Sequence, residues 1–103
     1  MPRTQSFWQV TVTTTGGLIV PYNSRRSGLL IKNYSGNPVF ISNDGSNISG
    51  AGFPLGVGDY AAFLRVNDDV PELGLYMQAS GGSTDVRIVE TFGDVSEIQK
   101  PAS

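Results

Sequence analysis

The sequence predicts an all-β fold, a single small antiparallel β-sandwich or β-barrel of about seven short strands. Three observations carry that reading. Apolar residues alternate with polar ones over short runs, the period of a half-buried strand. Clusters of Gly, Asn, Ser and Pro separate those runs at close intervals. No helix-length segment carries a helical apolar stripe, and the many β-branched residues and glycines weigh against one.

Trp8, Val10 and Val12 alternate with Gln9, Thr11 and Thr13 and predict a strand over 7–14. Gly16-Gly17 turns the chain into Leu18-Ile19-Val20-Pro21, where the proline confines the run to a strand end or edge. Over 28–34, Leu29, Ile31 and Asn33 share one face, and Leu30, Lys32 and Tyr34 the other. Ser35-Gly36-Asn37-Pro38 holds tight-turn residues and Val39-Phe40-Ile41-Ser42 follows, so 28–42 reads as a β-hairpin. Residues 43–58 are rich in Asn, Asp, Ser and Gly, and a long loop is expected there, pinned to the domain by Ile48, Phe53 and Leu55. Further strands are expected over 60–66, around Leu73, Leu75 and Met77, and over 85–92, the last entered through Gly81-Gly82-Ser83. With 103 residues the chain has the length of one domain, 1–103, with an N-terminal arm over 1–6 and a loosely ordered tail over 93–103.

Composition narrows the chemistry. There is no histidine, which removes the commonest general base, the Ser-His-Asp arrangement and every zinc site that uses His. There is no cysteine, which removes thiolate nucleophiles, thiolate metal sites and any disulfide framework. The remaining carboxylates fall mostly at loops and strand ends, and a domain this small leaves little room for two of them to face each other across a sugar. Asn43-Asp44-Gly45-Ser46-Asn47 offers oxygen ligands for calcium, but position 12 of an EF-hand counted from Asn43 is Pro54, so the motif fails and Asx-turn chemistry explains the residues. No enzyme, no metal and no cofactor is therefore expected. Seven Lys plus Arg against nine Asp plus Glu give a net charge of −2, with no basic face for nucleic acid; Arg25-Arg26 reads as a pair of solvated loop charges. No apolar run is long enough to cross a membrane, and Met1-Pro-Arg-Thr-Gln-Ser lacks the apolar core of a secretory signal, so synthesis in a cytoplasm without a cleaved signal is expected. A domain of this size has little stability in reserve, which favours oligomerisation.

Arg26-Ser27-Gly28-Leu29-Leu30-Ile31-Lys32-Asn33, then Asn37-Pro38-Val39-Phe40-Ile41-Ser42, then Gly52-Phe53-Pro54-Leu55 and Gly58-Asp59 resemble a pattern found in small β-rich virion proteins of tailed bacteriophages. Leu75-Tyr76-Met77-Gln78-Ala79 and Val86-Arg87-Ile88-Val89-Glu90 are similar to the closing strands of that pattern, which spans 25–91. The resemblance implies a structural protein of the virion: a capsid decoration, or cement, protein that is homotrimeric, binds the major capsid protein and stabilises the phage head on the capsid surface. A receptor- or glycan-binding module of a tail or head fibre is the alternative, and a tail or neck scaffold a third. The candidate interface residues are Phe7, Trp8, Ile48, Phe53 and Leu55, which fall at a chain end and in the long loop, with the face of Leu73, Leu75 and Met77 as a further contact between symmetric copies.

Overall fold

The computed structural model describes residues 4–65 and 69–93. Strand β1 spans Thr4–Thr13, β2 Gly17–Val20, β3 Arg26–Ser35, β4 Val39–Ser42, β5 Phe53–Leu55, β6 Tyr60–Leu64, β7 Leu75–Ala79 and β8 Ser83–Phe92. One helical turn, α1 (Ile48–Ala51), lies between β4 and β5. The strands make two four-stranded antiparallel sheets, β1-β8-β3-β6 and β2-β7-β4-β5. That is the jelly-roll order, in which the chain crosses between the two layers at every step except from β4 to β5. The sheets do not close on each other, so the molecule is a sandwich and not a barrel, and among the described residues β1, β6, β2 and β5 are left as edges.

Alternation does the sorting. Val12, Leu29, Ile31, Val86 and Ile88 point inward from the first sheet and meet Val20, Val39, Ile41, Leu55, Leu75, Met77 and Ala79 from the second. Trp8, Val10, Ala61 and Phe63 pack against the rim of this core, half-buried. Each residue of an inward face lies two positions from the next, so the pleat alone places them.

The hairpin expected over 28–42 is not formed. β3 belongs to the first sheet and β4 to the second, so residues 36–38 form a corner between layers. Three contacts hold that corner open as a crossing. Asn37 N–H donates to Thr84 Oγ1 (3.0 Å), the Thr84 hydroxyl donates to Asn37 C=O (2.7 Å), and Asn33 Nδ2 donates to the same carbonyl (3.0 Å). Asn33 Nδ2 also donates to Leu55 C=O at 3.0 Å, so one fully buried amide ties β3 to the corner and to β5. Gly36 has φ +118°, and a Cβ there would lie 2.5 Å from Ser83 O and 2.8 Å from Thr84 Cα. Only glycine fits that approach.

The long loop expected over 43–58 is also corrected, because it contains α1 and β5. It covers the outer face of the second sheet: Gly45 lies against the Tyr76 ring, Gly52 against Phe40, and Ile48 is buried near Gly16. Residues 4–6, expected in an arm, are the first rungs of β1, with Thr4 opposite Phe92. Leu75 and Met77 lie in the core and cannot serve as a contact face between copies, while Leu73 precedes β7 and is exposed. The expected strand over 60–66 ends at Leu64, and residues 94–103 of the expected tail lie outside the described residues. Among the described residues no helix is long and apolar enough to cross a membrane.

Gly36→Ala should destabilise the fold by at least about 2 kcal/mol, since it combines a disfavoured φ with a backbone clash. Met77→Ala should cost about 2–5 kcal/mol, as expected for a fully buried side chain. Urea unfolding followed by the single tryptophan, Trp8, measures both.

Candidate functional site

Among the described residues no grouping is suited to acid–base or metal chemistry. Among the described residues no set of three or more His, Cys, Asp or Glu could hold a metal ion. A cavity of about 460 Å³ opens between β6 and the β4–β5 edge, lined by Ile41, Phe53, Tyr60, Ala61, Phe63 and Leu75 and by the polar Ser42 and Asn43. Its walls hold no carboxylate and no base. Arg87 Nε and Nη2 donate to the two Asp85 oxygens at 2.9 and 3.0 Å and hold that carboxyl below the usual carboxylate range. Backbone donation from Ser46 does the same for Asp44. Both carboxyls are surface features, in a strand pair and an Asx turn respectively.

What the fold does present is an edge. β1 is ten residues long, pairs with β8 through all ten without a bulge, and leaves its other side unpaired within the sheet. Its sequence, Thr4-Gln-Ser-Phe-Trp-Gln-Val-Thr-Val-Thr13, contains no charge and no proline. Long edges of that kind invite another strand, and most natural sheets guard them with lysine, proline, a bulge or brevity. The other three edges have such protection: β2 is four residues with a register shift, β5 is three residues with Pro54 at its centre, and β6 is five residues.

An apolar row leads to that edge across the outer face of the first sheet. Ala62 stands opposite Leu30, Leu30 opposite Val89, and Val89 opposite Phe7, which is 72% exposed. The next row, Tyr60, Lys32, Arg87 and Gln9, is polar, with Arg87 stacked 4.3 Å over the Tyr34 ring. Apolar atoms therefore form a stripe one residue wide that stops at Phe7.

Behind the stripe lies an ion pair that charge counting alone does not reveal. Arg26 is 1% exposed, correcting its reading as a solvated loop charge. Its Nε donates to Glu90 Oε2 (2.8 Å), Nη1 to Pro71 C=O (3.0 Å) and Nη2 to Pro21 C=O (2.6 Å). Trp8 Nε1 donates to the other Glu90 oxygen at 2.6 Å, which anchors β1 to β8. One signal was available: Glu90 shares the parity of Val86 and Ile88, so its strand points it inward, where a carboxylate needs a partner. Arg26 breaks parity because the pairing of β3 with β8 shifts between Arg26 and Gly28.

The five candidate interface residues do not form one patch. Phe7 is exposed on β1 and Phe53, 66% exposed, stands on β5 at the mouth of the cavity. β1 and β5 are edges of different sheets. Trp8 is half-buried by its bond to Glu90, whereas Ile48 and Leu55 are buried and act in packing.

No family model and no curated protein matches the chain. The fold is similar to a solved structure described in the words "Bacillus endospore appendages form a novel family of disulfide-linked pili", with 15% identity, a TM-score of 0.51, and coverage of 88% of this chain and 86% of that one. The likeness is one of fold. It is to a pilus protein and not to a virion protein, and it overturns the expectation drawn from the 25–91 pattern. Membership among tailed-phage virion proteins, the cement role with its trimer and major capsid protein partner, the fibre-module alternative and the capsid-surface location all fall with that expectation. The residues of the pattern have structural explanations here: Arg26 neutralises Glu90, Leu29 and Ile31 fill the core, and Asn33 ties the corner.

Arg26→Met should cost about 3–5 kcal/mol, because it leaves the Glu90 carboxylate in a low-dielectric site without its cation. The double variant Arg26→Met/Glu90→Met should recover part of that loss. Urea unfolding of the two variants compares them, and equal losses in both would mean that the ion pair itself is not the constraint.

Proposed function

We propose that this chain is a non-catalytic structural subunit that assembles with copies of itself by adding strands at its sheet edges, as a building block of a pilus-like filament. The observation that carries the proposal is β1, a ten-residue edge with neither charge, proline nor bulge to keep a second strand away. The fold likeness to a protein described as forming pili supports it. The absence of histidine and cysteine supports the non-catalytic part.

The pili of that description are disulfide-linked. With no cysteine among the 103 residues, copies of this chain would be held by ladder hydrogen bonds and apolar burial. Free edges stand on both sides of the sandwich, β1 and β2 on one and β5 and β6 on the other, so addition can continue beyond a pair.

Light scattering over a concentration series, with negative-stain electron microscopy at the highest concentration, tests the proposal. Mass that rises with concentration, with elongated particles, is the expected result; a monomer of 11.0 kDa throughout would sink it. Phe7→Lys places a charge on the exposed face of β1 without touching the core. It should leave the urea midpoint unchanged and raise the concentration of half-assembly at least about tenfold.

A further inference from the structure

We infer that β1 pairs with β1 of a second copy, antiparallel about a two-fold axis at Phe7, so that the two first sheets join into one continuous eight-stranded sheet. The inference rests on the self-assembly reading above and says which edge and which register that assembly uses.

The occupant of the edge must be a strand, because what the edge leaves unpaired is a line of backbone N–H and C=O groups. Ten residues of uncharged strand form the longest such line in the fold, and a second β1 matches it in length and polarity. The short β5 and β6 edges cannot use it along its length.

Register follows from parity. Phe7, Gln9 and Thr11 point outward, whereas Trp8, Val10 and Val12 point inward. Opposed residues in an antiparallel pair share a face, so outward residues must oppose outward ones for the two outer faces to be continuous. About a two-fold axis, the central registers that meet this condition place Phe7 opposite Phe7, Trp8 opposite Trp8, or Gln9 opposite Gln9. In the second, Phe7 faces Gln9; in the third it faces Thr11, and the Gln9-Arg87-Lys32 rows of the two copies fall into line, cation toward cation.

The first register alone continues the apolar row into itself. Ala62, Leu30, Val89 and Phe7 of one copy then meet Phe7, Val89, Leu30 and Ala62 of the other. A ring left 72% exposed in the monomer gains an aromatic neighbour at the axis. Gln5 faces Gln9 on either side, amide to amide. Within the described residues the ladder covers Thr4 to Val10 of both strands.

The cysteine-free chain makes the test direct. Single Phe7→Cys and Gln9→Cys variants, oxidised at a concentration where the wild type self-associates, are compared on non-reducing gels. Phe7→Cys should form a covalent dimer at least several-fold faster than Gln9→Cys, and a mixture of Gln5→Cys and Gln9→Cys chains should give the mixed dimer. Faster dimers from Gln9→Cys would overturn the register. No cross-link from any of them in a protein that light scattering finds assembled would overturn pairing through β1 and leave the self-assembly reading standing. A wild type that stays monomeric at every concentration defeats both.

Discussion

Burial of one guanidinium organises this sandwich. Arg26 carries a full charge into a site with 1% exposure, which is tolerable only when a carboxylate and well-placed acceptors replace the lost water. All three guanidinium nitrogens donate: to Glu90 on β8, to Pro21 in the link from β2 to β3, and to Pro71 in the approach to β7. Glu90 passes the constraint on to β1 through Trp8. Four separate stretches of chain must therefore reach one point together. A buried pair of this kind contributes little net stability against an apolar substitute, but it penalises any arrangement that leaves one partner alone. At this end of the molecule, it selects one arrangement of strands over its competitors.

Anchoring has a consequence at the surface. Trp8 and the inward Val10 and Val12 hold β1 against β8, and the ladder between the two strands runs through all ten rungs without a register shift. A jelly roll that does not close must leave edges somewhere, and here three of the four are short or broken by a bulge or proline. The outer face of the second sheet is covered by the segment carrying α1, with Ile48 buried beneath it. The outer face of the first sheet has no comparable cover among the described residues and bears the apolar row ending at Phe7. The regular edge and the apolar row thus meet on the same strand, and the proposed pairing of β1 with a second copy rests on that coincidence.

The virion pattern failed for an instructive reason. Its positions are those any small sandwich fills for local reasons: alternate aliphatic residues where a strand faces a core, Gly and Pro where the chain changes layer, an amide at a corner. Leu29, Ile31, Asn33 and Asn37 are all accounted for by contacts within this one chain. Motif residues occupied in folding in this way are not left to specify a partner. Function has to be looked for in residues the fold does not use, and Phe7 and the unpaired side of β1 are among them.

The sequence by itself determined the class of fold and the inward face of most strands, because both depend on alternation and turn chemistry, which are local. Trp8, Val10 and Val12, the split of residues 28–34 into two faces, and the placement of Val86 and Ile88 were legible in that way. The same parity marks Glu90, although the reading of the carboxylates as mostly loop and strand-end groups passes it over. Tertiary structure alone decided which strands are neighbours. The turn residues 35–38 suit a hairpin and a corner equally, and only the bonds to Thr84 on β8 and from Asn33 to Leu55 on β5 make it a corner. Arg26 turns inward only because the ladder with β8 slips by one residue beside it. The status of β1 as an edge is likewise invisible in its own ten residues, since a strand is an edge only by virtue of where the others lie. Register and adjacency are properties of pairs far apart in the chain, and no local pattern encodes them.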